Sequence, residues 1–492
     1  MLPEVCQRQK STISWMFAAA AAGLLCMPAM GLQQRSQPRK VFRQVLSNMA
    51  DVQYYGSLSI GEQAVNAVYD TGSFELLVLS RSCGHCGDAS AFYDSAASKA
   101  HKYGNMSVMH SFGSGTLYSK EAYDTVRNGP YKALNAPFWE VYDANMPVLK
   151  NSHIESIAGL APFPSHFDQM HLHGSNSEAY ASIQAGLNIN SFAICLGSEP
   201  ESAGHIVWND NSPSTASDSF SEIPLMLESA PHWTAPLQNV RLGDEVLGCD
   251  GHCGGIIDSG TSLLAVPQPV AIKLQGMVSK LFTDCSDLSS LPHLHFRLGG
   301  VELSLPPDSY VYRTQGGSDG SSCKALVMTL DLPESEELGQ MWILGMPFLR
   351  KYYTVFEQHP ARVFVSEADK NCEPKHWGEN QDESLQGGTR TNVIRPRNVD
   401  VQKVRWPSWL KRSTVRMSGS VLFSELSTED PTSRSTYDES KNNTGDEEYV
   451  EFGQNTTVPR LRQLLPRRNP QGGKVIQIPL SSQLEVSAGK SG

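Results

Sequence analysis

The chain has 492 residues, room for two or three domains, with 51 acidic against 40 basic side chains. The imbalance lies between 51 and 372, where 35 acids face 17 bases and the net charge is −18. That argues against a nucleic-acid partner for this body, and it suits a protein working in acid as well as it suits plain solubility.

Arg8 and Lys10 precede an apolar stretch from Trp15 to Met30, with Ala29 and Gly31 placed for cleavage after Gly31. Pro28 and the shortness of the run favour a signal peptide over 1–31, the rival being an uncleaved anchor. No later stretch is long and apolar enough to span a bilayer. The expected destination is the secretory route, with the protein secreted or held in an acidic vesicular or vacuolar compartment. Eight cysteines follow the leader, an even number that suggests disulfides in an exported chain. Residues 32–50 carry Arg35, Arg39, Lys40 and Arg43 and are set aside as a short basic propeptide or a linker.

From 51 to 372 short runs rich in Val, Ile, Leu, Tyr and Phe alternate with Gly, Pro, Ser, Asn and Asp, the texture of an all-β body. In chain order, VYDTGSFELLVLS (68–80) breaks an apolar run with Asp70-Thr71-Gly72-Ser73, and CGHC (83–86) follows closely. SIAGLAP (156–162) comes next, then helical spacing over 177–187. GGIIDSGTSLLAVP (254–267) repeats the opening pattern with Asp258-Ser259-Gly260-Thr261. A second helical piece spans 269–282, and WILGMPF (342–348) closes the series. From 373 the texture turns polar, with no further cysteine, and a disordered extension is expected over 373–492. Within it, 395–416 holds seven basic residues, one acid and two tryptophans. It could touch an anionic membrane surface or the protein's own acidic body, or stay solvated. Lys411-Arg412 and Arg467-Arg468 are candidate processing sites, and Asn105, Asn442 and Asn455 begin glycosylation sequons.

The two Asp motifs form an internal repeat. Asp70 to Gly159 is 89 residues and Asp258 to Gly345 is 87, so each Asp turn has an apolar-apolar-Gly echo at matched spacing. Two similar lobes, each offering one such turn, can place Asp70 beside Asp258 at a pseudo-twofold axis. Like charges that close hold one proton between them. A water between the carboxylates can then lose its proton to the ionised one while attacking a peptide carbonyl, and the protonated one donates to the carbonyl oxygen. No metal, cofactor or covalent intermediate is needed. Gly72 and Gly260 let backbone approach the carboxylates. Ser73 and Thr261 can hydrogen-bond them, and Thr71 and Ser259 can brace one loop against the other.

With DTGS, DSGTSLL, both echoes and the ending WILGMPFLRKYYTVFE, residues 51–372 resemble the pepsin-like aspartic proteases, with apicomplexan subgroups a weaker likeness. The resemblance implies an all-β, bilobal pepsin-like fold, with lobes at 51–215 and 216–372 and the active site in the cleft between them. It also implies a monomer that binds extended peptides. The flap is expected at 109–126, its tip formed by Phe112, Gly113, Ser114 and Gly115. Here the sequence departs from the family, which usually has Tyr at Phe112 and Trp at Leu77, hydrogen-bonded to each other. Losing both partners reads as a repacked flap, since neither leaves the other orphaned. Phe74 also replaces a usually small residue.

The resemblance further pairs Cys83 with Cys86, Cys249 with Cys253, Cys285 with Cys323 and Cys195 with Cys372. CGHC is also a disulfide-isomerase motif, but no βαβ pattern surrounds it, so a structural bridge is favoured over a redox role. His85, His252, His171 and His173 make a poor zinc set once the cysteines are oxidised. The expected activity is an aspartic endopeptidase cutting between mostly apolar side chains. The alternative from another class is a catalytically silent pepsin-like peptide-binding protein, which damage to either Asp motif would have supported.

Overall fold

The computed structural model describes residues 40–87, 91–150, 152–162, 182–226, 232–251, 253–281, 286–314, 323–330, 338–375, 393–405, 415–417 and 475–477. The expected leader, the sequons at Asn442 and Asn455, Cys285, His252, the His171/His173 pair and both dibasic sites lie outside these residues, as does 177–181 of the stretch 177–187. Of that stretch, only Ile183–Gly186 is described as helix. The second helical expectation corresponds to Gln268–Leu281.

The fold is the all-β bilobal arrangement of the pepsin-like proteins. Gln53–Ile60 (QYYGSLSI) shows why strands form here: β-favouring residues alternate between buried and more open positions along its length. The strand that ends at Asp70, Gln63–Asp70, runs parallel to the first echo, Ser156–Gly159, with Asp70 opposite Gly159. In the second half Cys253–Ile257 runs parallel to Gln340–Leu344, with Ile257 opposite Leu344. Thus each echo is the neighbouring strand of its Asp turn, and the matched sequence spacing reflects matched strand pairing. Apolar residues pack these strands from both faces, including Val68, Ile157, Ile257 and Leu344, all nearly inaccessible to water.

A shared sheet connects the two halves. Tyr352–Gln358, from late in the chain, pairs with Ser191–Cys195, which in turn pairs with Gly204–Trp208. Phe42–Met49 adds to Gly204–Trp208 on one side and pairs with Gln53–Ile60 through its last residues. Within the stretch 32–50, set aside as a short basic propeptide or a linker, Phe42–Met49 is a sheet strand; its alternating pattern (Leu46 buried, Val45 exposed) is that of a strand with one covered face.

Within the extension expected to be disordered, the described residues 393–405 depart from that expectation. Residues 393–405 are folded: Arg397–Val399 pairs in parallel with Val311–Thr314, and Val399 and Val404 are buried in a cluster with Val52, Tyr312 and Leu326. Each buried valine is worth about 1.5–3 kcal/mol. Two more short strands, Val415–Met417 and Val475–Gln477, pair with Met328–Leu330 and with the flap strand Lys102–Phe112. The low-aromatic composition hid this because a few well-placed side chains fix the segment rather than a periodic apolar face.

Three disulfides are present among the described residues: Cys83–Cys86, Cys249–Cys253 and Cys195–Cys372. The Cys83–Cys86 bridge closes the CGHC loop. Cys195–Cys372 joins the Ser191–Cys195 strand to the residues just beyond the last strand of the body, 177 positions on. The side chain of Cys323 and the whole of Cys285 lie outside the description.

Candidate active site

Asp70 and Asp258 are both fully buried and sit at the ends of equivalent strands. Each receives a backbone N–H from the glycine two residues on, Gly72 to Asp70 Oδ1 at 2.9 Å and Gly260 to Asp258 Oδ1 at 2.7 Å. The glycines are needed for another reason. A Cβ at Gly72 would stand 2.7 Å from the Asp258 carboxylate, and one at Gly260 2.2 Å from Asp70 Oδ1. Each turn's backbone therefore lies against the opposite carboxylate, which only a residue without a side chain permits.

Thr71 and Ser259 clasp the turns together. The Thr71 N–H donates to Ser259 Oγ at 3.0 Å and the Ser259 N–H to Thr71 Oγ1 at 2.8 Å. Their hydroxyls donate onward to carbonyls of the opposite half, Thr71 to Ile257 O and Ser259 to Tyr69 O. Four hydrogen bonds with buried partners make a rigid, reciprocal brace.

The surroundings of the two carboxylates are not equal. Thr261 Oγ1 donates to Asp258 Oδ2 at 2.5 Å. Ser73, its counterpart, has a buried hydroxyl with no hydrogen-bond partner, so the carboxylate contact expected of it is not made. Instead the guanidinium of Arg405 reaches Asp70 Oδ2, with Nη2 at 3.5 Å. Burial is the main force raising the Asp258 carboxyl to about 7, with the charge of Asp70 adding to it and the Thr261 and Gly260 hydrogen bonds opposing. Burial likewise pulls Arg405 down from the ordinary arginine value, against the attraction of Asp70 and Asp258.

The residues expected to form the flap lie in the hairpin of Lys102–Phe112 and Gly115–Asn128, with Gly113 and Ser114 at its turn and Phe112 opposite Gly115. Phe112 and Leu77 are buried in one apolar cluster with Trp139 and Val141. Trp139 lies in strand register with Leu77, so an indole from the neighbouring strand shares this space. Beneath it, His110 is stacked edge-on to Trp139 with ring centroids 5.4 Å apart, and burial pushes its imidazole down to about 3. Asn105, at the base of the hairpin, is exposed.

Two residues near the site have no place among the sequence motifs. His232 is buried against the Phe74 ring, centroids 5.3 Å apart, and hydrogen-bonds the Gly72 backbone; burial lowers it to about 4. Nothing in its local sequence marks it. Arg405 does have a signal, the basic stretch 395–416 facing an acidic body.

Paired carboxylates on buried, hydrogen-bonded turns between two β lobes define an aspartic-type hydrolase. The family model "Eukaryotic aspartyl protease" matches residues 53–368, and the chain belongs to that family. It is similar to pepsin A of Rhinolophus ferrumequinum, 28% identical over 334 residues, 64% of this chain and 81% of the relative. Pepsin A of Sus scrofa is also 28% identical over 339 residues, 65% of this chain and 82% of its own length. By family the protein is an aspartic endopeptidase, a hydrolase acting on peptide bonds.

Proposed function

We propose that Asp70 and Asp258 are the catalytic pair, hydrolysing peptide bonds in extended substrates held between lobes 51–215 and 216–372. The observation that carries this reading is the pair of fully buried carboxylates, each fixed by a backbone N–H and facing the other's turn. One proton resides on the pair. With Asp258 raised to about 7, burial and the neighbouring charge favour its protonated form below that pH. The ionised partner takes a proton from the attacking water as the new C–O bond forms. The protonated partner gives its proton to the carbonyl oxygen. When the C–N bond breaks, a proton passes from the pair to the departing amine.

Thr71 and Ser259 hold the two turns in register, and Thr261 orients Asp258. The Phe112–Leu77 cluster and Phe74 support a preference for apolar side chains around the cut. The protein acts as a monomer, reaches its compartment through the secretory route, and is secreted or kept in an acidic vesicle or vacuole. Among the described residues no helix is long and apolar enough to cross a membrane.

The test is digestion of a mixed peptide library from pH 3 to 8 by the purified protein, with Asp70→Asn and Asp258→Asn proteins alongside. Cleavage favoured in acid and lost in both variants is expected. Cleavage that persists in either variant would assign the chemistry elsewhere.

A further inference from the structure

We propose that residues 393–405 are an inhibitor built into the chain, an extended segment that lies across the cleft and closes the Asp70–Asp258 site with the Arg405 guanidinium. This rests on reading the cleft as a peptidase site. The segment is anchored on the C-terminal lobe, where Leu288 N–H donates to Ile394 O at 2.7 Å and Arg397–Val399 runs beside Val311–Thr314. Arg397 is buried between Asp51, at 3.0 Å, and Asp308, at 3.6 Å. From there the chain passes Gln53, whose side-chain amide donates to Lys403 O at 2.7 Å, and the turn Val401–Lys403 lies against Pro147–Leu149 of the other lobe. It therefore touches both lobes before it reaches the carboxylates.

At the site its main chain is held as an extended peptide would be. Ser262, the residue after Thr261, donates its N–H to Arg405 O at 3.1 Å, and Arg405 N–H donates to Ser262 Oγ at 2.7 Å. Main-chain pairing of this kind is how extended peptides gain affinity without regard to side chain. The Arg405 side chain then turns to Asp70 Oδ2, 3.5 Å away, with both side chains almost completely buried. A guanidinium there excludes the attacking water from that oxygen and pairs the carboxylate that would take its proton. Charge supports the same occupant: the stretch 395–416 carries seven basic residues, and the body carries a net charge of −18. The opposite role, in which Arg405 assists catalysis by orienting Asp70, predicts the opposite response to its removal.

The experiment compares the full chain with Arg405→Met, which keeps side-chain length and removes charge. Two readouts are taken, kcat/KM on a fluorogenic peptide and the Kd of a fluorescent statine-containing peptide, with thermal unfolding to confirm that both proteins fold. The inhibitor account predicts a rise of tenfold or more in kcat/KM and a tenfold or greater tightening of statine-peptide binding. An equal or lower kcat/KM together with an equal or higher Kd in a folded Arg405→Met protein overturns it. If no peptide is cut by either protein but the statine peptide binds more tightly to Arg405→Met, the occlusion stands and the peptidase reading falls. If both cut equally well and bind equally, the peptidase reading stands and the occlusion falls. Should Arg405→Met fail to fold, Arg405→Lys supplies the same comparison, since a shorter ammonium loses the reach to Asp70 but keeps the charge; unchanged kcat/KM and Kd then count against the proposal.

Discussion

The two Asp turns are built to one plan and placed in two environments. In both, a glycine N–H holds the first carboxylate oxygen, and a hydroxyl from the residue after the Asp crosses to the other turn. They part at the second oxygen. Asp258 Oδ2 is held by Thr261, whereas Asp70 Oδ2 looks past an uncommitted Ser73 hydroxyl to the arginine of a distant segment. Symmetry of the backbone therefore does not give symmetry of the field. The scaffold fixes where the carboxylates stand, and the non-equivalent neighbours decide which of them holds the proton.

The largest effect expected from breaking this comparison is loss of both halves of the chemistry. Asp70→Asn or Asp258→Asn should each lower kcat/KM by about 10²–10⁴-fold or more, read on a single fluorogenic peptide. Next is the junction that brings the asymmetry in. Arg397→Ala leaves Asp51 and Asp308 buried without their shared cation, and it should cost about 3–5 kcal/mol in urea unfolding. A smaller effect separates the two hydroxyls: Thr261→Val removes a hydrogen bond to a buried carboxylate worth about 1.5–3 kcal/mol and should lower kcat accordingly, while Ser73→Ala should change it little. The pH dependence of stability separates the two carboxylates by another route. Asp258 rises from 3.8 to about 7 on folding, so its contribution is fully present below 3.8 and lost as pH rises through 7. Asp258→Asn should therefore melt above the wild type most clearly at neutral to alkaline pH, with the gap closing in acid.

Much of this site is legible in the amino-acid sequence alone. The repeat of Asp turn and apolar-Gly echo encodes the parallel strand pairs that carry Asp70 and Asp258, because both the turn chemistry and the partner strand leave local marks. The flap hairpin and the CGHC bridge are readable for the same reason. Phe42–Met49 is not, since an eight-residue strand with basic neighbours resembles a linker until its partner Gly204–Trp208 is known. Nor is the segment 393–405, which is held by two arginines, two valines and main-chain bonds to residues far away in the chain. Such contacts have no period and no motif. Of the three fates open to the basic stretch, contact with the acidic body is the one Arg397 and Arg405 adopt. Charge complementarity carries that hint but cannot name Asp70 as the target.

Two carboxylate turns that meet in one site share a single proton. The most direct measurement is the pH dependence of kcat/KM for the chain and for Arg405→Met on the same peptide. Activity is expected in acid and should fall as pH rises through about 7, where Asp258 gives up its proton. A rate that stays level well into the alkaline range in both proteins would contradict it.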